Sequence, residues 1–118
     1  MLIVVDSLTG QGQRFAKKVG HPYVDIQDYV ESNEDVLLLT RSFNFGEVTH
    51  EAKAFLKDHH KKVVGVAVSG NKNWGANFGA AGIKISRKLG IDLVLKYEGS
   101  GFDDDVKVVQ AWLEGKGK

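Results

Sequence analysis

The 118-residue chain has no cysteine, a single proline and no surplus of either charge, and none of its apolar runs approaches the ~18 residues of a membrane span. Without cysteine there can be no disulfides, thiolate zinc sites, cysteine-held iron–sulfur clusters or thiol nucleophiles. Redox chemistry would therefore need a bound cofactor. The formal net charge is +1, from 16 basic and 15 acidic residues, which argues against the basic footprint of a nucleic-acid binder. The chain runs directly into Leu2-Ile3-Val4-Val5, without the charged start and long apolar stretch of a signal peptide. The expectation is a cytoplasmic protein with neither nucleic acid nor membrane as partner.

Glycine is plentiful. The chain has 14, against about eight expected at a share of roughly 7 per cent. Hydrophobic residues make up 42% and charged residues 26%, as in ordinary globular proteins. The length fits one domain, residues 1–118, with a single core.

Four short apolar runs stand out: Leu2–Val5, Val36–Leu39, Val63–Val68 and Leu93–Leu95, with a weaker fifth at Tyr23–Ile26. Continuous rather than alternating runs suggest strands buried on both faces of a parallel sheet. Helical spacing falls between them: Phe15 and Val19; Val48, Ala52, Phe55 and Leu56; Phe78, Gly82, Ile85 and Leu89; Val106, Val109, Gln110 and Leu113. Gln27–Asp35 holds a loop or one helical turn. Asp103 is expected to cap the last helix, with Asp104 and Asp105 in its first turn. His59-His60 suggests a solvent-exposed helix end, and Trp112 suggests partial core packing. The pattern predicts an α/β fold: a doubly wound, five-stranded parallel sheet of order 2-1-3-4-5 with helices on both faces.

In such sheets ligands bind beyond the carboxyl ends of the strands. The loops expected there hold Gly10, Gly12, Gly46, Gly70, Gly75, Gly79, Gly99 and Gly101. Turn chemistry explains one or two glycines per loop, but not the polar and aromatic residues beside them. Ser7-Leu8-Thr9-Gly10-Gln11-Gly12 suits a phosphate ester: hydroxyls, close backbone approach and a following helix N-terminus. Thr9 acting only as a helix cap explains the same residues about equally well. Phe43, Phe45 and Trp74 offer faces for a flat ring. Asn44, Asn71 and Asn73 offer amides to its edge. A ligand with a phosphate at one end and a planar ring at the other has the shape of FMN. A P-loop would need Gly-Lys-Ser/Thr, which is absent. A dinucleotide fingerprint would need a small residue where Phe15 stands.

The motifs Asp6-Ser7-x-Thr9-Gly10, Asn44-Phe45-Gly46-x-Val48 and Ser69-Gly70-Asn71-Lys72-Asn73-Trp74-Gly75-x-Asn77-Phe78 resemble the NrdI family of small flavodoxin-like proteins. Arg14-Phe15, Ile85-Ser86-Arg87 and Tyr97-Glu98-x-Ser100-Gly101 extend the resemblance over nearly the whole chain. The chain departs from the family's usual residues at Gln11-Gly12, at Arg41, Ser42 and Phe43, and at Phe102. The resemblance implies FMN as cofactor, held by Ser7 through Gly12, Ser42 through Gly46, Ser69, Gly70, Asn71, Asn73, Trp74, Gly75 and Phe78. It implies that an unidentified reductant reduces the flavin. Dioxygen then accepts electrons and supplies superoxide to the small metal-binding subunit of class Ib ribonucleotide reductase, where a dimanganese–tyrosyl radical cofactor is assembled. The loops alone also fit a generic flavodoxin electron carrier or a flavin-free phospho-ligand or interaction module.

Overall fold

The computed structural model describes residues 1–43 and 46–116, with the backbone of Phe43. Its elements are β1 (Leu2–Val5), α1 (Gln11–Val19), β2 (Tyr23–Asp25), β3 (Val36–Phe43), β4 (Glu47–Val48), α2 (His50–His59), β5 (Val63–Ser69), α3 (Ala80–Leu89), β6 (Asp92–Tyr97) and α4 (Asp103–Lys116). Single 3-10 turns follow β2 and α2, and a 3-10 segment covers Lys72–Asn77. The sheet order is β2-β1-β3-β5-β6, all parallel. This is the expected 2-1-3-4-5 order, because β4 lies off the main path.

The additional strand is a difference from the sequence expectation. The segment from Thr40 to Gly46, read as a loop, instead extends β3 to Phe43. The chain then returns through β4, which pairs antiparallel with it: Ser42 opposite Val48 and Phe43 opposite Glu47. Val48 therefore belongs to a strand. Thr49 caps α2, its hydroxyl accepting from the Ala52 N–H at 3.0 Å.

The central strands are buried on both sides, as their continuous apolar runs require. Ile3, Val5, Leu37, Leu39 and Ala67 face a core layer with Phe15, Ala16, Val19 and Val109 from α1 and α4. Val4, Val36, Leu38, Val63 and Val66 face a second layer with Ala52, Phe55 and Ile85 from α2 and α3. Trp112 packs against the first layer. Its indole lies where a Cβ on Gly65 would be, 2.5 Å from that position, and its Nε1–H donates to Asp92 Oδ2 at 2.8 Å. Gln110, polar at a core-spaced position, donates to the Val19 carbonyl at 3.0 Å.

Three local expectations are revised. Asp103 is the first residue of α4 rather than its cap. The Asp105 carboxylate reaches back to the Phe102 N–H at 2.9 Å, an acidic residue satisfying a donor at the helix start. Phe78 precedes α3, which starts after Gly79 in the left-handed region. His59 packs against Tyr29 and Phe55, with ring centroids 4.9 and 5.0 Å away, so it belongs to an aromatic cluster. His60 is the exposed residue of the pair.

Candidate functional site

The β1–α1 loop leaves the sheet between β2 and β3, where the order of connections reverses. The cap position of α1 is Gly10, with φ of 81° and no side-chain cap bond. Thr9 does not cap the helix; it is exposed. The cap-like bond comes from Ser7, whose Oγ accepts from the Gly12 N–H at 3.1 Å. The amides of Thr9, Gly10 and Gln11 have no acceptor among the described residues. A Cβ built on Gly10 meets nothing within 4 Å, so open space lies beside this turn. The first turn of α1 has no acidic residue, which leaves the positive end of its dipole uncompensated. Leu8 is 78% exposed and Gln11 is also exposed. Gly12 has a different role. A Cβ there would lie 2.8 Å from Val5 Cγ1, so its close approach is to the sheet.

Asp6, just before this loop, is buried. The register that sets Val5 opposite Leu39 brings it beside Thr40. Asp6 Oδ2 accepts hydrogen bonds from the hydroxyls of Thr40 and Thr49, at 2.8 and 2.5 Å. One carboxylate thus ties the β1–α1 loop to the end of β3 and the start of α2. Sequence reasoning placed none of these three residues in the site. The available signal was Asp6 and Thr40, each directly following an apolar run.

Beside Ser7 lies a small cavity of about 100 Å³, lined by Asp6, Gln13, Asp25, Arg41 and Glu51. Gln13 Nε2 donates to Asp25 Oδ1 at 2.7 Å. Arg41 Nε and Ser42 Oγ are buried at the end of β3, without a hydrogen-bond partner among the described residues. Buried polar atoms normally find partners; here the Arg41 Nε–H is left free to donate and the Ser42 hydroxyl to donate or accept. The hairpin then reaches Gly46, which is buried with φ of 117°. A Cβ there would sit 2.7 Å from Ala80 Cβ. Its carbonyl accepts from Lys84 Nζ at 3.0 Å. Asn44, Phe45 and the Phe43 side chain lie outside the described residues.

The β5–α3 loop begins at Ser69, paired with Tyr97 and Arg41 on the neighbouring strands. The Gly70 N–H donates to the Tyr97 carbonyl at 3.0 Å. The Asn71 side chain is partly committed, its Oδ1 accepting from the Asn73 N–H at 2.8 Å. The Lys72 N–H donates to Glu98 at 3.0 Å, joining this loop to the one after β6. Trp74 is half-buried and Asn73 exposed. Gly75 has open space where a Cβ would stand. The Phe78 ring lies under Lys96, with Nζ 5.4 Å from its centroid, so it has a structural contact of its own. Beneath the loops, burial pushes the Tyr97 phenol well above its ordinary range, against the opposing hydrogen bond from Ser69. Tyr97 is therefore a neutral phenol at physiological pH, packed on Phe15 with centroids 4.4 Å apart.

The described members of the predicted set thus lie on the β1–α1 loop, at the end of β3 and on Gly46, and on the end of β5 with the segment that follows it, all at the carboxyl end of the parallel sheet. Among the described residues, no group of three or more His, Asp or Glu could hold a metal ion. No described helix is long and apolar enough to cross a membrane.

The sheet order, the layered helices and the loop after β1 define a flavodoxin-like protein. A short-chain flavodoxin associated with a PDU bacterial microcompartment superposes with a TM-score of 0.74 at 19% identity, over 97% of this chain and 93% of its own. A Fusobacterium nucleatum flavodoxin solved with flavin mononucleotide superposes with a TM-score of 0.65 at 16% identity, over 98% and 95%. Within this class, residues 3–111 match the family described as NrdI Flavodoxin like. The chain is 40% identical over 108 residues to Protein NrdI of Macrococcus caseolyticus, covering 91% of this chain and 84% of that protein. The chain belongs to the NrdI flavodoxin-like family.

Proposed function

We propose that this chain binds FMN and works as a redox accessory to class Ib ribonucleotide reductase. In its reduced state it would pass electrons to dioxygen and supply superoxide to the reductase's small metal-binding subunit, for assembly of the dimanganese–tyrosyl radical. Family membership supports the link to the reductase, and the FMN held by a flavodoxin of the same fold supports the cofactor. The observation that carries the reading is the β1–α1 turn: unbonded amides at Thr9, Gly10 and Gln11 and open space beside Gly10, at the uncompensated end of α1. This donor set fits a phosphate monoester, which helix N-termini hold through backbone N–H groups.

The Ser7 and Thr9 hydroxyls and the amides through Gly12 would hold the phosphate. Trp74, with Phe45 and Phe43, would provide the apolar surface for the ring. The unpartnered Ser42 hydroxyl and the Asn71, Asn73 and Asn44 amides would meet polar positions, while Gly46, Ser69, Gly70 and Gly75 shape the backbone around them. When bound, FMN supplies the one-electron chemistry that these side chains lack. An unidentified reductant would replenish the electrons.

Purified protein reconstituted with FMN is expected to show bound-flavin absorbance. Thr9→Ala is expected to weaken FMN binding about fivefold, the effect of one ordinary hydrogen bond, and Trp74→Ala to change ring affinity and potential. Folded protein that takes up no FMN would defeat the flavin reading. Reduced protein that is stable in air would support an electron carrier instead of an oxidant supplier. Rapid oxygen consumption, with radical formation when the metal subunit is added, is the expected result.

A further inference from the structure

Charge is nearly balanced over the whole chain, yet one groove has a single sign. It lies between α2 and α3, has a volume of about 780 Å³, and its floor is Val48, Leu56, Ile85 and Leu89. Lys53 and Lys57 rim it on one side, Lys84 and Lys88 on the other. The rim follows from helix spacing: each lysine pair is four residues apart, so both members project from one face. Leu56 lies three residues after Lys53, and Ile85 and Leu89 repeat the four-residue step on α3. All four lysines are exposed, and none forms an ion pair with a carboxylate among the described residues.

We propose that this groove docks an acidic segment of a protein partner, which lays apolar side chains on the floor and sets carboxylates against the two lysine rims. An apolar floor between cationic walls is complementary to an amphipathic peptide bearing glutamate or aspartate, as in helix-in-groove recognition. A lipid surface fits less well. Membrane-binding faces insert projecting apolar side chains, whereas here the apolar residues are recessed and Ile85 is only 3% exposed. The groove also adjoins the candidate site, because Lys84 holds the Gly46 carbonyl at 3.0 Å. A carboxylate that draws Lys84 away would release that carbonyl, so docking would be felt at the hairpin beside the site.

The test uses the full chain and a fluorescein-labelled amphipathic peptide of about 15 residues, with leucines at i, i+4 and i+7 and glutamates between them. Fluorescence anisotropy is expected to show binding that weakens with salt. The double variant Lys53→Glu/Lys57→Glu is expected to bind about tenfold more weakly, with its thermal melt and circular dichroism confirming the fold. Replacing the peptide leucines by serine is expected to abolish most of the affinity. Equal binding of the serine peptide would show charge attraction alone and overturn the docking site, as would equal binding by wild type and double variant. Binding to equimolar phosphatidylserine–phosphatidylcholine vesicles without binding to the peptide would also overturn it, in favour of a lipid surface. Peptide binding does not require flavin, so its failure and failure of FMN uptake are separate results.

Discussion

Thr49 is the most informative single residue to alter. It is 2% exposed, and one hydroxyl does two jobs: it donates to Asp6 Oδ2 and accepts from the Ala52 N–H. Thr49→Ala removes a helix cap, a loss of about 1 kcal/mol. It also removes a buried hydrogen bond to a carboxylate, a loss of about 1.5–3 kcal/mol. The two overlap because they share an atom, so the expected loss is about 2–4 kcal/mol, a large part of the ~5–15 kcal/mol that holds an ordinary domain. For a chain of this size the melting temperature should fall by roughly 8–16 °C. Thr49→Ser keeps both bonds and loses one buried methyl, about 1 kcal/mol, so most of the stability should return. A double-mutant cycle with Asp6→Ala should show a coupling of about 1 kcal/mol or more, as for residues in one network. Thermal and urea melts measure all three quantities. If Thr49→Ala lowers the melting temperature by less than about 2 °C, or Thr49→Ser is as damaging as alanine, the Asp6 network does not hold the loop to β3 and α2.

Three further expectations follow from other contacts. Gly65→Ala should push the Trp112 indole off the sheet, since the new Cβ would lie 2.5 Å from it; the loss is about 1–3 kcal/mol, with red-shifted tryptophan emission in a Trp74→Phe background, and unchanged emission would contradict the packing described. Gly10→Ala should cost only about 1 kcal/mol, from placing alanine at φ of 81°, because no atom obstructs its Cβ; a core-sized loss on urea melts would show that the turn is packed rather than open. The Trp112 indole and the Lys116 ammonium hold the Asp92 carboxyl below its ordinary value of 3.8. A folded-state pKa below the unfolded one gives stability that is present above the ordinary carboxylate range and lost as pH falls through the folded pKa. Because Asp92 is exposed, the effect should be small, and Asp92→Asn should remove it in melts on either side of pH 3.8; an unaltered acid limb would count against the Trp112 contact.

The three central strands were legible because burial on both faces leaves an uninterrupted apolar run; the half-exposed edge strands β2 and β6 left shorter runs, and the strand order followed from the alternation with helices. The sixth strand was not legible. Glu47–Val48 is two residues long, too short for any period, and it exists because the chain turns back after Phe43. Spacing alone also placed Val48 and Phe78 on helices. The Thr49 cap starts α2 after Val48, and left-handed Gly79 starts α3 after Phe78. Periodicity reports which residues share a face but not where the backbone leaves the helix. The Asp6–Thr40–Thr49 network was hidden for another reason: its members lie 34 and 43 positions apart, and only strand register brings them together.

The glycine surplus shows most clearly where composition stops being informative. In sequence, Gly10, Gly12, Gly46, Gly75 and Gly101 looked alike, each in a loop at the ligand end of the sheet. In the fold they separate. A Cβ on Gly12 would meet Val5, on Gly46 it would meet Ala80, and on Gly101 the ring of Phe15 at 2.6 Å. These three let parts of the protein approach one another, and a ligand is not needed to explain them. Beside Gly10 and Gly75 there is nothing within 4 Å, so packing does not account for them. They stand on the two loops to which a phosphate and a ring were separately assigned. The distinction depends on what lies across the fold from each glycine, which a linear chain does not display. Gly99, after β6, is equally open, and Gly10, Gly75 and Gly99 all have a positive φ that favours glycine; a bulky side chain at Gly10 or Gly75 should affect flavin uptake more than it affects core packing.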